Sequence, residues 1–336
     1  MNALAGNEAG PIPGLGEQRA QSVWRRLVGW DLSGVLLPIV VMWVALTLIS
    51  PGFLTSYNMT SILAVIAITA LVGLSQVVVL AIGQFNLAIA SMGAVVGMTV
   101  GWALDQARIP VAAAIVIGLL VGGGLGFVQG WLIARAKLNP FIVTLALASV
   151  YGGLILLLTH GAAYSKFPSE FIGFGQGQVG LVPNIALVMF GVAIGLIVLV
   201  QRTGFGRRLL ATGENPRTAA FSGIQTDRVV LLAHTLSGGL AAVAAILNLA
   251  RLAEATTAMG ANWLLPSFAA PVLGGSLLSG GKISVVGTIL GALALSLIQN
   301  LLILGGVNQY WYQVGLGLLI IAAVGLERLR AAASRR

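Results

Sequence analysis

The chain has 336 residues, of which 58% are hydrophobic and only 8% are charged, and its mean hydropathy is +0.99. A soluble domain carries about 25% charged residues, so this composition excludes an ordinary water-soluble globular protein. The net charge of +9 does not indicate nucleic-acid binding, because the basic residues lie in short clusters at the ends of apolar segments, and the absence of cysteine excludes disulfides and thiolate sites.

The apolar segments predict membrane-spanning helices. A span needs about 20 apolar residues, with a range of about 17–25. Nine segments meet this length, and a tenth is short and interrupted by proline and glycine. In chain order the nine are approximately 32–50, 59–82, 88–104, 110–134, 139–159, 182–201, 229–250, 284–304 and 310–326, and the short one is 264–279.

The positions of lysine and arginine predict the topology. Both ends of the chain are rich in arginine, and positive flanks stay in the cytoplasm, which requires an even number of crossings. With ten spans, fifteen of the eighteen basic residues lie on the cytoplasmic side. We therefore predict an all-α polytopic membrane protein with ten transmembrane helices, some short or broken. The membrane domain is 31–327, between a flexible cytoplasmic tail at 1–30 and a second tail at 328–336.

Two connections between spans carry unusual polar or glycine-rich sequence. One is Gly83-Gln84-Phe85-Asn86-Leu87, and the other ends in Gly280-Gly281-Lys282. Interrupted helices at membrane depth are tolerated where they line a cavity or lie buried in protein.

Uncharged polar side chains in or near the spans are suited to hydrogen-bonding a hydroxyl-rich neutral solute. For any single one, a bond between helices is the simpler interpretation, but Gln84 and Asn86 are favoured because they lie at a helix break. The wider set includes Gln76, Asn248, Asn262 and Gln299. The candidate solute path is Gln84, Phe85, Asn86, Asn139, Thr144, Ser276 and Asn300.

One polar stretch, residues 202–228, separates two long apolar segments, and we call it the 202–228 loop. Asn215 suits a helix N-cap, Pro216 the first helical position and Gly223 the stop. The sequence predicts a helix from Pro216 to Ser222 that presents a small face of Ala219, Ala220 and Phe221. A connector that folds locally is the alternative.

Acidic residues and nucleotide motifs limit the possible mechanisms. None of the nine carboxylates lies in the middle of an apolar segment, which argues against a proton-coupled carrier and against an intramembrane enzyme. The stretch GGSLLSGGKIS resembles a phosphate-binding loop, but Ser276 stands where that motif needs glycine, and Ile283 follows Lys282. We therefore expect no cofactor, no metal and no catalysis on this chain.

Four stretches of the chain resemble the permease subunits of ribose-type monosaccharide ABC importers. The likeness covers most of residues 59–330. The stretches are NPFIVTLALASVYGGLILLLTHG, GRRLLATGENPRTAAFSGIQTDRV, SGGLAAVAAILNLARL and PVLGGSLLSGGKISVVGTILGALALSLIQNLLILGGV.

The resemblance implies a ten-helix permease in the bacterial inner membrane, paired with a second permease subunit. It also implies ATPase subunits that hold ATP and Mg²⁺, and a periplasmic or lipid-anchored sugar-binding protein. In that family the cytoplasmic loop forms a coupling helix that docks on the ATPase. The residues assigned to this coupling loop are Gly213, Asn215, Pro216, Ala219, Ala220, Gly223 and Ile224.

One departure from the family pattern leaves the solute open. These permeases commonly have Gly-Gly-Ile-Asp-Leu-Ser where this chain has Gly83-Gln84-Phe85-Asn86-Leu87-Ala88. A pentose, a hexose, a polyol and a signalling-sugar derivative therefore all remain candidate solutes. The two paired permeases can be identical or different. Two alternatives stand beside a sugar importer. One is a self-sufficient carrier or channel for a small neutral solute, and the other is a branched-chain amino-acid ABC permease.

Overall fold

A computed structural model describes residues 30–308 and 310–333. These residues form a bundle of helices with one two-stranded hairpin. The predicted tail at 1–30 lies outside the described residues except for Trp30, and the division into domains stays a prediction. The elements are α1 (Trp30–Ile49), α2 (Ser56–Leu80), α3 (Ile89–Asp105), α4 (Val111–Ala134), α5 (Pro140–Thr159), α6 (Ser169–Gln176), β1 (Gln178–Val179), β2 (Val182–Pro183), α7 (Asn184–Arg202), α8 (Gly204–Glu214), α9 (Pro216–Phe221), α10 (Thr226–Leu252), α11 (Leu264–Leu273), α12 (Val285–Leu304) and α13 (Tyr310–Ala333).

All ten predicted apolar segments coincide with helices. Among the described residues, six helices are long and apolar enough to cross a membrane, namely α2, α4, α5, α7, α10 and α12, and α1, α3, α11 and α13 contain shorter apolar stretches. The chain is therefore a multi-pass membrane protein, and the number of ten crossings stays a prediction. Helix α13 continues to Ala333, past residue 327, where the sequence pattern ends the membrane domain.

The short tenth segment forms only a partial span. Helix α11 has 10 residues and contains Pro271, so at 1.5 Å per residue it covers about 15 Å, roughly half of a hydrocarbon core. The chain then continues without regular structure until α12 begins at Val285. The predicted interruption in this segment is confirmed.

Helices α2 and α10 form the centre of the bundle, and α10 packs against α4, α2 and α3. The α4–α10 contact is close because it uses backbone rather than side chains: a methyl group on Gly126 would overlap the carbonyl oxygen of His234, and one on Gly238 would overlap the carbonyl oxygen of Gly122. Small residues spaced four apart allow such approach between membrane helices. The buried glycines of α4 on this face are Gly118, Gly122, Gly126 and Gly130.

Three elements were not predicted from the sequence. Helix α6 and the hairpin lie between α5 and α7, with Gln178 paired to Pro183 and Val179 to Val182. Helix α8 occupies the first half of the 202–228 loop, where the Thr203 hydroxyl accepts a backbone N–H at its start. The loop therefore holds two short helices rather than one.

Candidate functional site

Helix α9 forms where the capping residues predicted it. The Asn215 side chain accepts hydrogen bonds from the backbone N–H groups of Arg217 and Thr218, both at 3.1 Å. At the other end Gly223 has φ +83°, a conformation that glycine adopts without strain. The predicted cap and stop are confirmed, and the helix ends at Phe221, one residue earlier than predicted.

The exposed face of α9 is narrower than the sequence predicted. Phe221 is 93% exposed and Ala220 is exposed, whereas Ala219 is only 4% exposed. Ala219 therefore packs towards the protein and does not belong to the outward surface. Ile224 is half-buried in a hydrophobic cluster beneath the loop. Phe221 is the large apolar side chain that α9 exposes to solvent.

The end of α8 contacts both interrupted segments through glycine backbone. A methyl group on Gly213 would overlap the carbonyl oxygen of Ala81 and come within 2.6 Å of the Gly281 nitrogen, and one on Gly280 would lie 2.6 Å from the Gly83 nitrogen. The Gly281 N–H donates to the Ala81 carbonyl at 3.1 Å. We call this contact of Gly83, Gly213, Gly280 and Gly281 the glycine junction. It joins the 202–228 loop to both breaks in the membrane helices.

The interrupted segment after α2 is fastened to α10. The Gln84 Oε1 atom lies 2.9 Å from His234 Nε2, and His234 Nδ1 lies 3.1 Å from Gln129 Nε2. The Asn86 amide donates to the Ser237 hydroxyl at 3.1 Å. Gln84 and Asn86 are therefore brought together on the interrupted segment, where both side chains attach this segment to α10.

The other candidate path residues make local or interhelical bonds. Asn139 is the exposed N-cap of α5, and the buried Thr144 hydroxyl donates to the Phe141 carbonyl. The side chains of Asn300 and Asn58 exchange two hydrogen bonds, of 2.8 and 3.3 Å. The Ser276 hydroxyl accepts a hydrogen bond from the Ser284 N–H at 3.1 Å. The ring of Phe85 lies 5.7 Å from that of Phe268, measured between centroids.

A polar cavity of about 620 Å³ lies elsewhere, between α2, α10, α11, α12 and α13. This volume is within the range of about 300–1,000 Å³ for small-molecule sites. None of the seven predicted path residues lines it. Its polar and aromatic lining consists of Thr69, Asn248, Arg251, Asn262, Trp263, Gln299, Tyr310, Tyr312 and Gln313.

A second cavity of about 570 Å³ lies beside the polar cavity and shares Arg251 with it. It is lined by the first turns of α2, the end of α6 and the hairpin. Among the side chains that the structure describes, no carboxylate lies within 4.0 Å of the Arg251 guanidinium, and the Lys137–Asp227 ion pair lies at the other end of α10. The carboxyl end of α10 is therefore surrounded by polar space with one positive charge.

Side-chain amides that are buried or half-buried in the described residues fall into two groups. Asn58, Asn300, Gln84 and Asn86 are paired with protein groups, and Gln129 is paired through Nε2 with His234 while its Oε1 atom has no described partner. In contrast, Asn248 and Gln299 line the polar cavity without a hydrogen bond to any described residue. Gln76 is 0% exposed, and neither of its amide atoms has a described partner. A buried polar group without a partner costs about 1–3 kcal/mol, so the enclosed amide of Gln76 calls for a functional explanation, whereas Asn248 and Gln299 are open to the polar cavity.

The sequence marked Asn248, Asn262 and Gln299 as polar residues near spans but did not connect them. Helical spacing was a usable signal: Val65, Thr69 and Val72 are separated by four and three residues and share one face of α2. The cavity itself is formed by five helices that are distant in sequence. Local patterns cannot show which of their faces meet.

The described side chains that could ligate a metal are dispersed. Within the described part of the chain there is no group of three or more His, Cys, Asp or Glu residues that is suited to a metal ion. The one buried histidine, His234, is engaged on both ring nitrogens with amides. The lining of the polar cavity offers hydrogen bonding, aromatic faces and the positive charge of Arg251.

Comparison with known proteins identifies the family. Residues 58–324 match the family described as "Branched-chain amino acid transport system / permease component". The chain belongs to this permease family. No solved structure matches the chain significantly.

The permease is also similar to curated sugar permeases over most of its length. It is 34% identical over 301 residues to the ribose import permease protein of Bacillus subtilis (strain 168), covering 89% of this chain and 93% of that protein. It is 30% identical to the D-allose transport system permease protein of Escherichia coli (strain K12), with coverage of 89% and 92%. The L-arabinose ABC transporter permease protein of Azospirillum brasilense is 29% identical, with coverage of 90% and 89%. The resemblance to ribose-type ABC permeases is confirmed.

Proposed function

We propose that this chain is the membrane-spanning permease subunit of an ABC importer that translocates a monosaccharide or a related polyhydroxylated solute into the cytoplasm. The observation that carries the proposal is the polar cavity, which offers unpaired amides next to aromatic rings. An amide both donates and accepts hydrogen bonds, so it suits hydroxyl groups. Aromatic rings offer apolar faces that suit the C–H surface of a sugar ring.

The sugar permeases that resemble this chain support that cargo over a branched-chain amino acid. The sugars in their names are ribose, allose and arabinose. The described lining of the polar cavity contains Arg251 but no carboxylate. An amino acid carries an ammonium group as well as a carboxylate, and this lining offers the ammonium no ionic partner.

The driving force comes from a separate ATPase subunit, which holds ATP and Mg²⁺, so this chain performs no hydrolysis. Its docking surface is α9, where the exposed Phe221 side chain stands at the tip of a capped helix. The glycine junction connects the neighbouring α8 to both interrupted segments. A displacement of α9 by the ATPase would therefore reach the membrane helices through direct backbone contact.

The distribution of lysine and arginine supports an orientation in which the 202–228 loop faces the cytoplasm. The loop precedes α10 and the polar cavity lies at the other end of that helix, so in this orientation the cavity faces the periplasm. With ten crossings of the bacterial inner membrane, both termini are cytoplasmic. A second permease subunit, identical or related, and a periplasmic or lipid-anchored sugar-binding protein complete the transporter.

Uptake into proteoliposomes tests this function. The permease is reconstituted with its ATPase and binding protein, and accumulation of radiolabelled D-ribose, D-allose, L-arabinose and L-leucine is measured with ATP. We expect accumulation of at least one of the three sugars and none of leucine. Accumulation of leucine alone would instead assign the chain to amino-acid import.

A further inference from the structure

Gln76 lies in the centre of the bundle with an unused amide. Its side chain is 0% exposed, and neither Oε1 nor Nε2 has a hydrogen-bond partner among the described residues. Because the residue is fully enclosed within one chain, a second subunit cannot reach it in this conformation. The buried Asn86 and the half-buried Gln84 do find partners on a neighbouring helix.

The position of Gln76 continues one wall of the polar cavity. Val65, Thr69 and Val72 line the cavity from α2, and Gln76 lies four residues after Val72 on the same helix. At 3.6 residues per turn these four residues share one face. Gln76 is therefore one turn, or about 6 Å, beyond the cavity along α2.

The facing helix has the same arrangement. Asn248 lines the cavity from α10, and one turn and two turns earlier on that face lie Ala244 and Ala241. Both alanines belong to the hydrophobic cluster that contains Val72. One further turn brings Ser237, which holds Asn86 of the interrupted segment. Small side chains thus separate the cavity from the break.

A route can be followed along these faces from one end of the bundle to the other. It begins at the polar cavity, passes Gln76 on α2 and the two alanines on α10, and reaches the segment that starts at Gly83. Gly83 is part of the glycine junction, which contacts α8. In this conformation the middle of the route is closed by the packing of α2 against α10.

We propose that Gln76 is an inner solute contact of this route, and that its amide hydrogen-bonds a hydroxyl group of the passing neutral solute when α2 and α10 separate. The identity of the solute rests on the proposed function, whereas the opening of the route to water at Gln76 does not. An amide that must exchange partners with a moving solute is best left without a fixed protein partner. Gln84, Asn86 and Asn300 lack this property because they are paired with protein groups.

The absence of cysteine from the chain makes accessibility a direct test. Gln76→Cys introduces the only thiol of the permease, and the complex with its ATPase and binding protein is treated with a small, membrane-impermeant methanethiosulfonate reagent. We expect no labelling at rest and labelling while ATP is hydrolysed. The matched control is Leu74→Cys, since Leu74 is equally buried but lies on the opposite side of α2. It should stay unlabelled in both conditions.

A second pair of variants separates a solute contact from a structural one. Gln76→Leu removes an unpaired amide, so it should leave the melting temperature unchanged or raised while lowering sugar uptake at least tenfold. Gln84→Leu removes a bond to His234 and should lower the melting temperature. A fall in melting temperature for Gln76→Leu equal to that for Gln84→Leu would contradict the proposal.

The outcomes distinguish this inference from the function on which it draws. Labelling of Gln76→Cys during ATP hydrolysis, without uptake of any sugar by the unmodified transporter, would support the route and reject the sugar cargo. Sugar uptake by the unmodified transporter, with Gln76→Cys unlabelled in both conditions, would overturn the inference and leave the function standing. Uptake by Gln76→Leu within twofold of the unmodified protein would also overturn it.

Discussion

Gly213, near the end of α8, lies so close to Ala81 that a methyl group on Gly213 would overlap the Ala81 carbonyl oxygen. That carbonyl also accepts the N–H of Gly281 at 3.1 Å. Three segments separated by more than sixty residues therefore touch through their backbones. Since packed backbone cannot deform gradually, movement of α8 must shift the ends of α2 and the segment before α12, or break their contact.

Gly213→Ala should weaken this junction. The added methyl overlaps Ala81 and crowds Gly281, and overpacking of this kind destabilises by about 1–3 kcal/mol. We expect a lower melting temperature of the purified permease and a loss of ATP-driven uptake. The control is Gly123→Ala in α4, where no atom lies within 4 Å of the added methyl and where replacing a helical glycine stabilises by about 0.5–1 kcal/mol. Equal melting temperatures for the two variants would show that the junction is not tightly packed.

Phe221→Asp should weaken assembly with the ATPase while leaving the permease itself intact. Phe221 is 93% exposed, so the substitution removes little internal packing, and the loss of an aromatic anchor at an interface amounts to about 2 kcal/mol or more. We expect at least a tenfold rise in the Kd for the ATPase, measured with purified subunits in detergent. Val179→Asp, at an exposed apolar residue of β1, should bind the ATPase normally. An unaltered Kd for the Phe221→Asp permease would show that α9 does not contact the ATPase.

Asn215→Ala should loosen α9. The Asn215 side chain accepts hydrogen bonds from the backbone N–H groups of Arg217 and Thr218, and both would lose their partner. Loss of such a cap typically costs about 1 kcal/mol, which corresponds to roughly fivefold weaker binding of a partner that needs the helix. The measurement is the ATPase concentration that gives half-maximal uptake. Asn215→Asp keeps a capping oxygen and should restore that concentration. If the Ala and Asp variants needed the same ATPase concentration for half-maximal uptake, the cap at residue 215 would not contribute to coupling.

The 202–228 loop shows what could be predicted from sequence and what could not. The cap at Asn215 and the stop at Gly223 depend on residues next to each other in the chain, so local chemistry was sufficient. The inward position of Ala219 depends on packing against the rest of the protein, which no local pattern encodes. Helix α8 was missed because its residues resembled a polar connector.

The solute path shows the same limit more strongly. Gln84 and Asn86 were correctly placed at a helix break, but their partners His234 and Ser237 lie about 150 residues away. The sequence could not show these partners, and the place of Gln84 and Asn86 on the solute path stays a prediction. The polar cavity requires five helices to be positioned relative to one another, and only the structure provides this.

Asn248→Leu and Asn300→Leu should separate the two groups of amides. Asn248 lines the polar cavity without a described partner, so its loss should lower uptake roughly tenfold, or about 1.4 kcal/mol, with little change in melting temperature. Asn300 exchanges hydrogen bonds with Asn58. Asn300→Leu leaves the Asn58 Oδ1 atom without its partner, which destabilises by about 1–3 kcal/mol, although the Asn58 amide nitrogen still donates to the Phe53 carbonyl. We expect the lower melting temperature in Asn300→Leu only. A lower melting temperature in Asn248→Leu only would instead show that Asn248, and not Asn300, has the structural role.

The most direct test of ATP-driven sugar import is accumulation of sugar against its concentration gradient, measured with and without the ATPase subunit. Proteoliposomes containing the permease and binding protein are supplied with the best-transported sugar, with ATP on the side that the 202–228 loop faces. We predict that the sugar is concentrated only when the ATPase is present, and that Phe221→Asp abolishes this accumulation at limiting ATPase. Concentration of the sugar by this chain without the ATPase would contradict the account and identify a self-sufficient carrier.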